Sequence, residues 1–173
     1  RRQRQMCIRD SALLRTKNSG KTWTAVKFGA SGFLPQKIFF TSAADGWAAG
    51  TDEKKQTLFV LHTSDGGKSW QTRFQKKYEE GAAGCAGIDF LNAKEGWFLT
   101  SDLSTWNGEL YHTADGGNTW ASAGTVKSVR PTPEGIDFTN SQTGWIPFDV
   151  GAGPVAGGLA AVSYTHLRAH ETR

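Results

Sequence analysis

Nine residues decide the fold: His62-Thr63-Ser64-Asp65-Gly66-Gly67-Lys68-Ser69-Trp70. The string returns as His112-Thr113-Ala114-Asp115-Gly116-Gly117-Asn118-Thr119-Trp120, and more loosely as Arg15-Thr16-Lys17-Asn18-Ser19-Gly20-Lys21-Thr22-Trp23. A second pattern alternates with it. Ile38-Phe39-Phe40 leads to Gly46-Trp47, Ile88-Asp89-Phe90 to Gly96-Trp97, and Ile136-Asp137-Phe138 to Gly144-Trp145. The tryptophans are spaced by 47 and 50 residues in the first pattern and by 50 and 48 in the second. A period of this length marks stacked structural repeats.

Each unit reads as four short strands. In the best copy these are Gly87–Leu91, where Ile88 and Phe90 share a face, then Gly96–Thr100, Glu109–Thr113 and Thr119–Ala123. Apolar alternation bounded by Gly, Asn and Asp is the strand signature, and no segment shows capped helical periodicity. Four strands in 47 to 50 residues predict one antiparallel blade of an all-β propeller. Two blades are complete, over 36–74 and 87–123. They are flanked by the last two strands of another (13–26) and the first two of a further one (135–148), so the fold class is a partial β-propeller.

The Asp-Gly-Gly segments have a mechanical reading. Consecutive glycines adopt positive φ cheaply where a hairpin must reverse, and a short carboxylate accepts hydrogen bonds from turn amides. Asp65, Gly67, Ser69 and Trp70, their counterparts Asp115, Gly117, Thr119 and Trp120, and the variant set Asn18, Gly20, Thr22 and Trp23 are therefore expected to be structural. A catalytic centre converges once, whereas these groups recur in every unit. The same argument disfavours His62 and His112, at equivalent repeat positions, as catalytic imidazoles.

The Ser/Thr-X-Asp-X-Gly-X-Thr/Ser-Trp element resembles the BNR, or Asp-box, repeat. Coupled to the Phe-X(n)-Gly-Trp strand pair, it looks most like the propellers of the photosystem II stability/assembly factor type, from Leu13 to about Phe148. The resemblance implies a non-catalytic scaffold that binds a protein or an extracellular polymer such as a polysaccharide, outside the cytoplasm. It also implies that this chain is less than half of a family member. Sialidases, xyloglucan-degrading hydrolases and sortilin-like receptors carry the same repeat, so a propeller glycoside hydrolase and a ligand-binding receptor are the alternatives.

Both ends read differently. Residues 1–11 (RRQRQMCIRDS) and 162–173 (VSYTHLRAHETR) resemble conceptual translations of transposon adapters used in sequencing libraries, so the propeller is expected to occupy 12–161. The formal charge of +4 is confined to those ends. Without their six Arg, one Asp and one Glu, 14 basic and 14 acidic residues remain. The pI of 9.2 then gives no support to a nucleic-acid partner, and no apolar run approaches the roughly 18 residues of a membrane-spanning helix. Cys85 alone remains between the ends, which predicts a small buried thiol. No metal or cofactor motif is present in the sequence.

Binding is expected on the loops that vary between copies: Thr51–Thr57, Gln75–Gly84, Ser101–Gly108 and Thr125–Glu134. Trp106, the one tryptophan outside the repeat, with Asp102 and Asn107 beside it, is the first candidate for stacking on a sugar or anchoring a peptide. Tyr78 and Arg130, near Lys76 and Lys77, are candidates for a rim. Asp89 and Asp137 are candidates for lining the central channel, where Phe39 replaces them in the preceding unit.

Overall fold

The structure is a computed structural model that describes residues 13–29, 32–79, 83–102, 104–105, 107–127, 135–147 and 159–163. All regular elements among them are strands. A hairpin of β1 (Leu13–Arg15) and β2 (Thr24–Val26) comes first. The first blade follows, with β3 (Leu34–Phe40), β4 (Gly46–Asp52), β5 (Thr57–Thr63) and β6 (Gln71–Lys77) hydrogen-bonded in that order. The second blade repeats it with β7 (Ala83–Phe90), β8 (Gly96–Asp102), β9 (Gly108–Thr113) and β10 (Ala121–Val126). A third sheet holds β11 (Asp137–Asn140), β12 (Thr143–Pro147) and β13 (Leu159–Ser163). Every pairing is antiparallel, and the chain forms a partial β-propeller as its repeat predicts.

Several boundaries differ from the sequence reading. β7 starts at Ala83 rather than Gly87, because a bulge between Cys85 and Gly87 lets a glycine-rich segment stay paired with β8. β10 starts at Ala121, since Thr119 still belongs to the turn, which its hydrogen bonds to Asp115 close. Much of the expected loops Thr51–Thr57 and Ser101–Gly108 is strand, so only 53–56 and 103–107 connect β4 to β5 and β8 to β9. β13 also runs across the expected end of the propeller at 161, with Val162 opposite Gly144 and Ser163 opposite Thr143. The backbone groups of β12 on the side away from β11 pair with extended chain whatever its side chains.

Inner strands are buried on both faces, as blades between blades require. Every residue of β4 is buried, and its side chains alternate between two cores. Trp47 and Ala49 point into the core shared with the second blade, alongside Phe90 and Phe98. Ala48 points the other way, with Phe33, Phe59 and Leu61. One repeat later, Trp97 and Leu99 share a core with Phe138 and Ile146. Cys85 is buried in the first of these cores, where burial pushes its thiol up to about 12.

Candidate functional site

The glycine turns are closed by one oxygen-centred network, repeated three times. Thr63 Oγ1 accepts from Gly67 N at 2.8 Å and donates to Asp65 Oδ1 at 2.8 Å. Asp65 Oδ1 accepts from Lys68 N at 2.8 Å and Ser69 N at 3.0 Å, while Ser69 Oγ donates to Oδ2 at 2.6 Å. Thr113, Asp115, Gly117 and Thr119 reproduce it within 0.1 Å in the corresponding contacts 2.8, 2.9 and 2.7 Å long. In the first hairpin Asn18 Oδ1 accepts from Thr22 N at 2.9 Å, but Asn18 Nδ2 donates to Thr22 Oγ1 at 2.8 Å. The amide thus keeps the turn and reverses one bond. The donated hydrogen bonds, led by that of Ser69, hold the Asp65 carboxyl far below the usual carboxylate range, and those of Thr119 hold Asp115 at about 2. The twelve expected turn residues sit in or directly beside these turns. The threonine hubs Thr16, Thr63 and Thr113 complete each network, and their recurrence two positions before Asn or Asp is the signal that marks them.

These turns and the β3–β4 and β7–β8 turns occupy one side of the sheets. Gly66 N donates to Ala44 O at 2.7 Å and Gly116 N to Lys94 O at 2.8 Å. The repeated histidines belong to this scaffold. His62 Nε2 meets Asp45 Oδ1 at 2.7 Å and its ring lies 4.3 Å from that of Trp47; His112 takes the same place beside Trp97.

The opposite side carries a cleft of about 500 Å³ between the blades. Its walls are the end of β6 with the following Tyr78 and Glu79, and the β8–β9 loop with Ser104, Thr105 and Asn107; Leu58 and Thr100 lie beneath. The loop is held shut by its own bonds. Asp102 N donates to Asn107 O at 2.8 Å, and Asp102 Oδ1 accepts from Ser104 Oγ at 2.6 Å and Ser104 N at 2.8 Å. Those bonds, that of the Ser104 side chain first, keep the Asp102 carboxyl below its ordinary range. Asp52, one repeat earlier, caps the β4–β5 turn in the same manner by accepting from Lys55 N at 3.0 Å. The 50-residue spacing of the two aspartates could have revealed this from sequence.

Across the cleft, Lys76 on β6 bridges the blades. Its Nζ lies 2.5 Å from Glu109 Oε2 and 2.8 Å from the Tyr111 hydroxyl. Burial works against the ionised Glu109, but the Lys76 and Tyr111 bonds outweigh it and lower the carboxyl. Lys77 Nζ donates to Lys55 O at 2.6 Å. Lys76 and Lys77, expected on the variable loop Gln75–Gly84, are therefore strand, with both ammonium groups engaged. Burial raises the Tyr78 phenol, against an opposing bond with Thr51.

Tyr78, Asp102 and Asn107 thus meet in one cleft. Trp106 and Arg130 lie outside the described residues; Thr105 and Asn107, the neighbours of Trp106 in sequence, both line the cleft. Asp89 belongs elsewhere. Rather than facing an open channel, it is 8% exposed and joins two blades: Oδ1 accepts from Phe90 N at 2.8 Å and Oδ2 from Phe138 N at 2.6 Å. Burial raises its carboxyl despite these bonds, and the charge of Asp137 adds to the rise. Asp137, exposed on β11, stands opposite Trp145 in the sheet.

Four-stranded blades joined by BNR turns, with a polar cleft on the variable-loop side, define a BNR-repeat propeller of the assembly-factor class. The family profile described as photosynthesis system II assembly factor YCF48 matches residues 15–152, and the chain belongs to that family. Among solved structures, it is similar to YCF48 bound to D1 peptide, with 18% identity and a TM-score of 0.59 over 82% of this chain and 40% of that one. It is also similar to the GH74 xyloglucanase from Xanthomonas campestris, with 12% identity and a TM-score of 0.59 over 90% of this chain and 26% of that one. The chain thus spans less than half the length of either. No curated protein is significantly similar in sequence.

Proposed function

We propose that this chain is a non-catalytic scaffold that holds an extended segment of a partner protein in the cleft between β6 and the β8–β9 loop. The observation that carries the reading is the state of the cleft's polar groups. Asp102 and Glu109 are both held ionised by neighbouring donors, which is the opposite of the raised carboxyl that protonates a leaving group in glycoside hydrolysis. Both blades are four-stranded hydrogen-bonded sheets around the cleft, while the groups on its rim differ between repeats, the arrangement that favours recognition. Membership of the assembly-factor family supports a protein partner, and the similar YCF48 structure holds a D1 peptide. A partner of this kind is met outside the cytoplasm if the chain follows its resemblance.

The test is titration with a labelled D1 peptide and, separately, a xyloglucan oligosaccharide. Peptide binding weakened about tenfold, or about 1.4 kcal/mol, by Asn107→Ala or Trp106→Ala supports the reading. Binding that ignores both substitutions moves the site elsewhere. Cleavage of the oligosaccharide would replace the scaffold reading with a hydrolase.

A further inference from the structure

The two blades close their inner pair of strands differently at the end that carries the cleft. In the first blade the β4–β5 ladder runs unbroken to the turn, with Gly50 opposite Phe59, Thr51 opposite Leu58 and Asp52 opposite Thr57. In the second blade the β8–β9 ladder stops at Leu99 and Leu110. One repeat on from Gly50 stands Thr100, and one repeat on from Phe59 stands Glu109. Here a side chain takes the place of a backbone pair. Glu109 N donates to Thr100 Oγ1 at 2.9 Å, and Thr100 Oγ1 donates to Glu109 O at 3.3 Å. Beyond this rung the strands meet again, with Asp102 N donating to Asn107 O at 2.8 Å.

The exchange of glycine for threonine accounts for the difference. In the closed arrangement of the first blade, a Cβ added to Gly50 would stand 2.0 Å from Leu34 O and 3.0 Å from Pro35 Cα. Packed backbone leaves no room for a side chain so close, so a residue with a Cβ cannot take the place that Gly50 takes. Thr100 bears that Cβ, and β8 departs from the closed arrangement. Its hydroxyl both donates and accepts, and it meets the two groups of Glu109 that an antiparallel pair meets with backbone. Polar backbone groups withdrawn from water need such partners, and the hydroxyl supplies them.

We propose that Thr100 is the residue that holds the cleft open for its ligand. The four residues around the opened rung, Thr100, Ser101, Gly108 and Glu109, all line the cleft. The β8–β9 loop with Asn107 begins directly beyond it, so the rung sets where that loop stands relative to β6. On the reading that the cleft holds a segment of a partner protein, Thr100 acts as a positioning residue. Its Cβ excludes the closed rung, and its hydroxyl replaces the bonds that closure would have made. Glu109, so placed, keeps its carboxylate 2.5 Å from Lys76 Nζ across the cleft.

Three substitutions at this position separate the Cβ from the hydroxyl. Thr100→Gly removes both and restores the residue that the first blade uses. The β8–β9 ladder then runs on to Asp102 and Asn107, as β4–β5 runs to Asp52 and Thr57, and the cleft shrinks below its present volume of about 500 Å³. Thr100→Ser keeps both groups and leaves the rung open. Thr100→Ala keeps the Cβ alone, so the rung stays open while Glu109 N loses its acceptor.

Titration of the 173-residue chain and its variants with a labelled D1 peptide tests this, beside crystal structures and amide hydrogen exchange of the same proteins. Thr100→Gly is expected to close the ladder and weaken peptide binding at least about tenfold, while Thr100→Ser binds within about twofold of the unchanged protein. In Thr100→Ala the Glu109 amide exchanges at least about tenfold faster, a readout that needs neither ligand nor a folded glycine variant. Asn107→Ala tells the failure of this assignment from the failure of the site. If Asn107→Ala weakens binding and Thr100→Gly does not, Thr100 loses its part and the cleft remains the site. If neither weakens it, the site lies elsewhere and both readings fall. A ladder still open in Thr100→Gly, a serine variant as weak as the glycine one, or an unaltered Glu109 amide in Thr100→Ala would each overturn the proposal.

Discussion

Trp47 of the first blade stacks on Phe90 of the second at 4.4 Å and 13° between ring planes, and Trp97 stacks on Phe138 of the third sheet at 4.0 Å and 6°. One aromatic pair per junction thus ties each Gly-Trp strand to the first strand of the following sheet. Both halves of the contact come from the second sequence pattern, the indole from its Gly-Trp end and the phenyl ring from its first strand one repeat later.

Removing an inner indole should therefore cost far more than removing an outer one. Trp97 is fully buried, and Trp97→Ala is expected to lose about 3–5 kcal/mol from the lost transfer energy and the residual cavity. Trp23 is 57% exposed, and Trp23→Ala should cost less than about 1 kcal/mol. Urea midpoints at constant m-value separate the two; equal losses would refute the stacked-junction account.

Acid should weaken the fold through the BNR turns. The folded Asp115 carboxyl lies at about 2, below its unfolded value near 3.9. Its stabilising contribution is complete above the unfolded value and is lost as pH falls toward the folded one. Unfolding free energy measured from pH 6 to pH 2 should therefore fall across the lower half of that range. Asp115→Asn should fold, as Asn18 shows an amide can, and should show a shallower acid slope. An unchanged slope would assign the acid lability to other carboxyls.

Asp89 carries the opposite sign. Its folded carboxyl is raised, so the stability it contributes is complete below the unfolded value and is lost as pH rises through the folded one. At neutral pH Asp89→Asn replaces one acceptor with a donor facing a backbone amide, at Phe90 or at Phe138. A loss of about 1–3 kcal/mol is expected, the cost of a buried donor left without its partner. Calorimetry of the variant at pH 7 checks it, and an unaltered melting temperature would show that the two amides do not depend on the carboxylate.

Gly117 and Gly20 have positive φ, +73° and +84°, but only Gly117 faces an indole at 2.3 Å; at Gly20 the nearest ring atom is 3.8 Å from an added Cβ. Gly20→Ala should cost about 1–2 kcal/mol of backbone strain. Gly117→Ala should add about 1–3 kcal/mol of overpacking. The difference disappears if Trp47 is shortened as well, a coupling that a double-mutant cycle measures.

Local and repeated features were legible in advance because each follows from a residue and its near neighbours. The turn at Asp65 and Gly67 needs only chain within six positions, and the alternation in Ile88-Asp89-Phe90 needs only the pleat. Where glycine and alanine filled the start of a strand, as at Ala83 and Gly84 of β7, the pattern read as loop, since pairing there depends on a bulge against β8. The cleft was half visible. Asp102, Asn107 and Tyr78 stood out as residues of variable segments, but their meeting depends on how one blade leans on the next.

From sequence alone come the class of fold, the blade period, the turn residues and the absence of a genuine excess of positive charge between the ends. All of these rest on spacing and side-chain chemistry within a repeat. Tertiary structure alone decided that Asp89 is a link between blades and that Lys76 is tied to Glu109. Those relations join residues 33 and 49 positions apart, and only the packing of blade on blade brings them together.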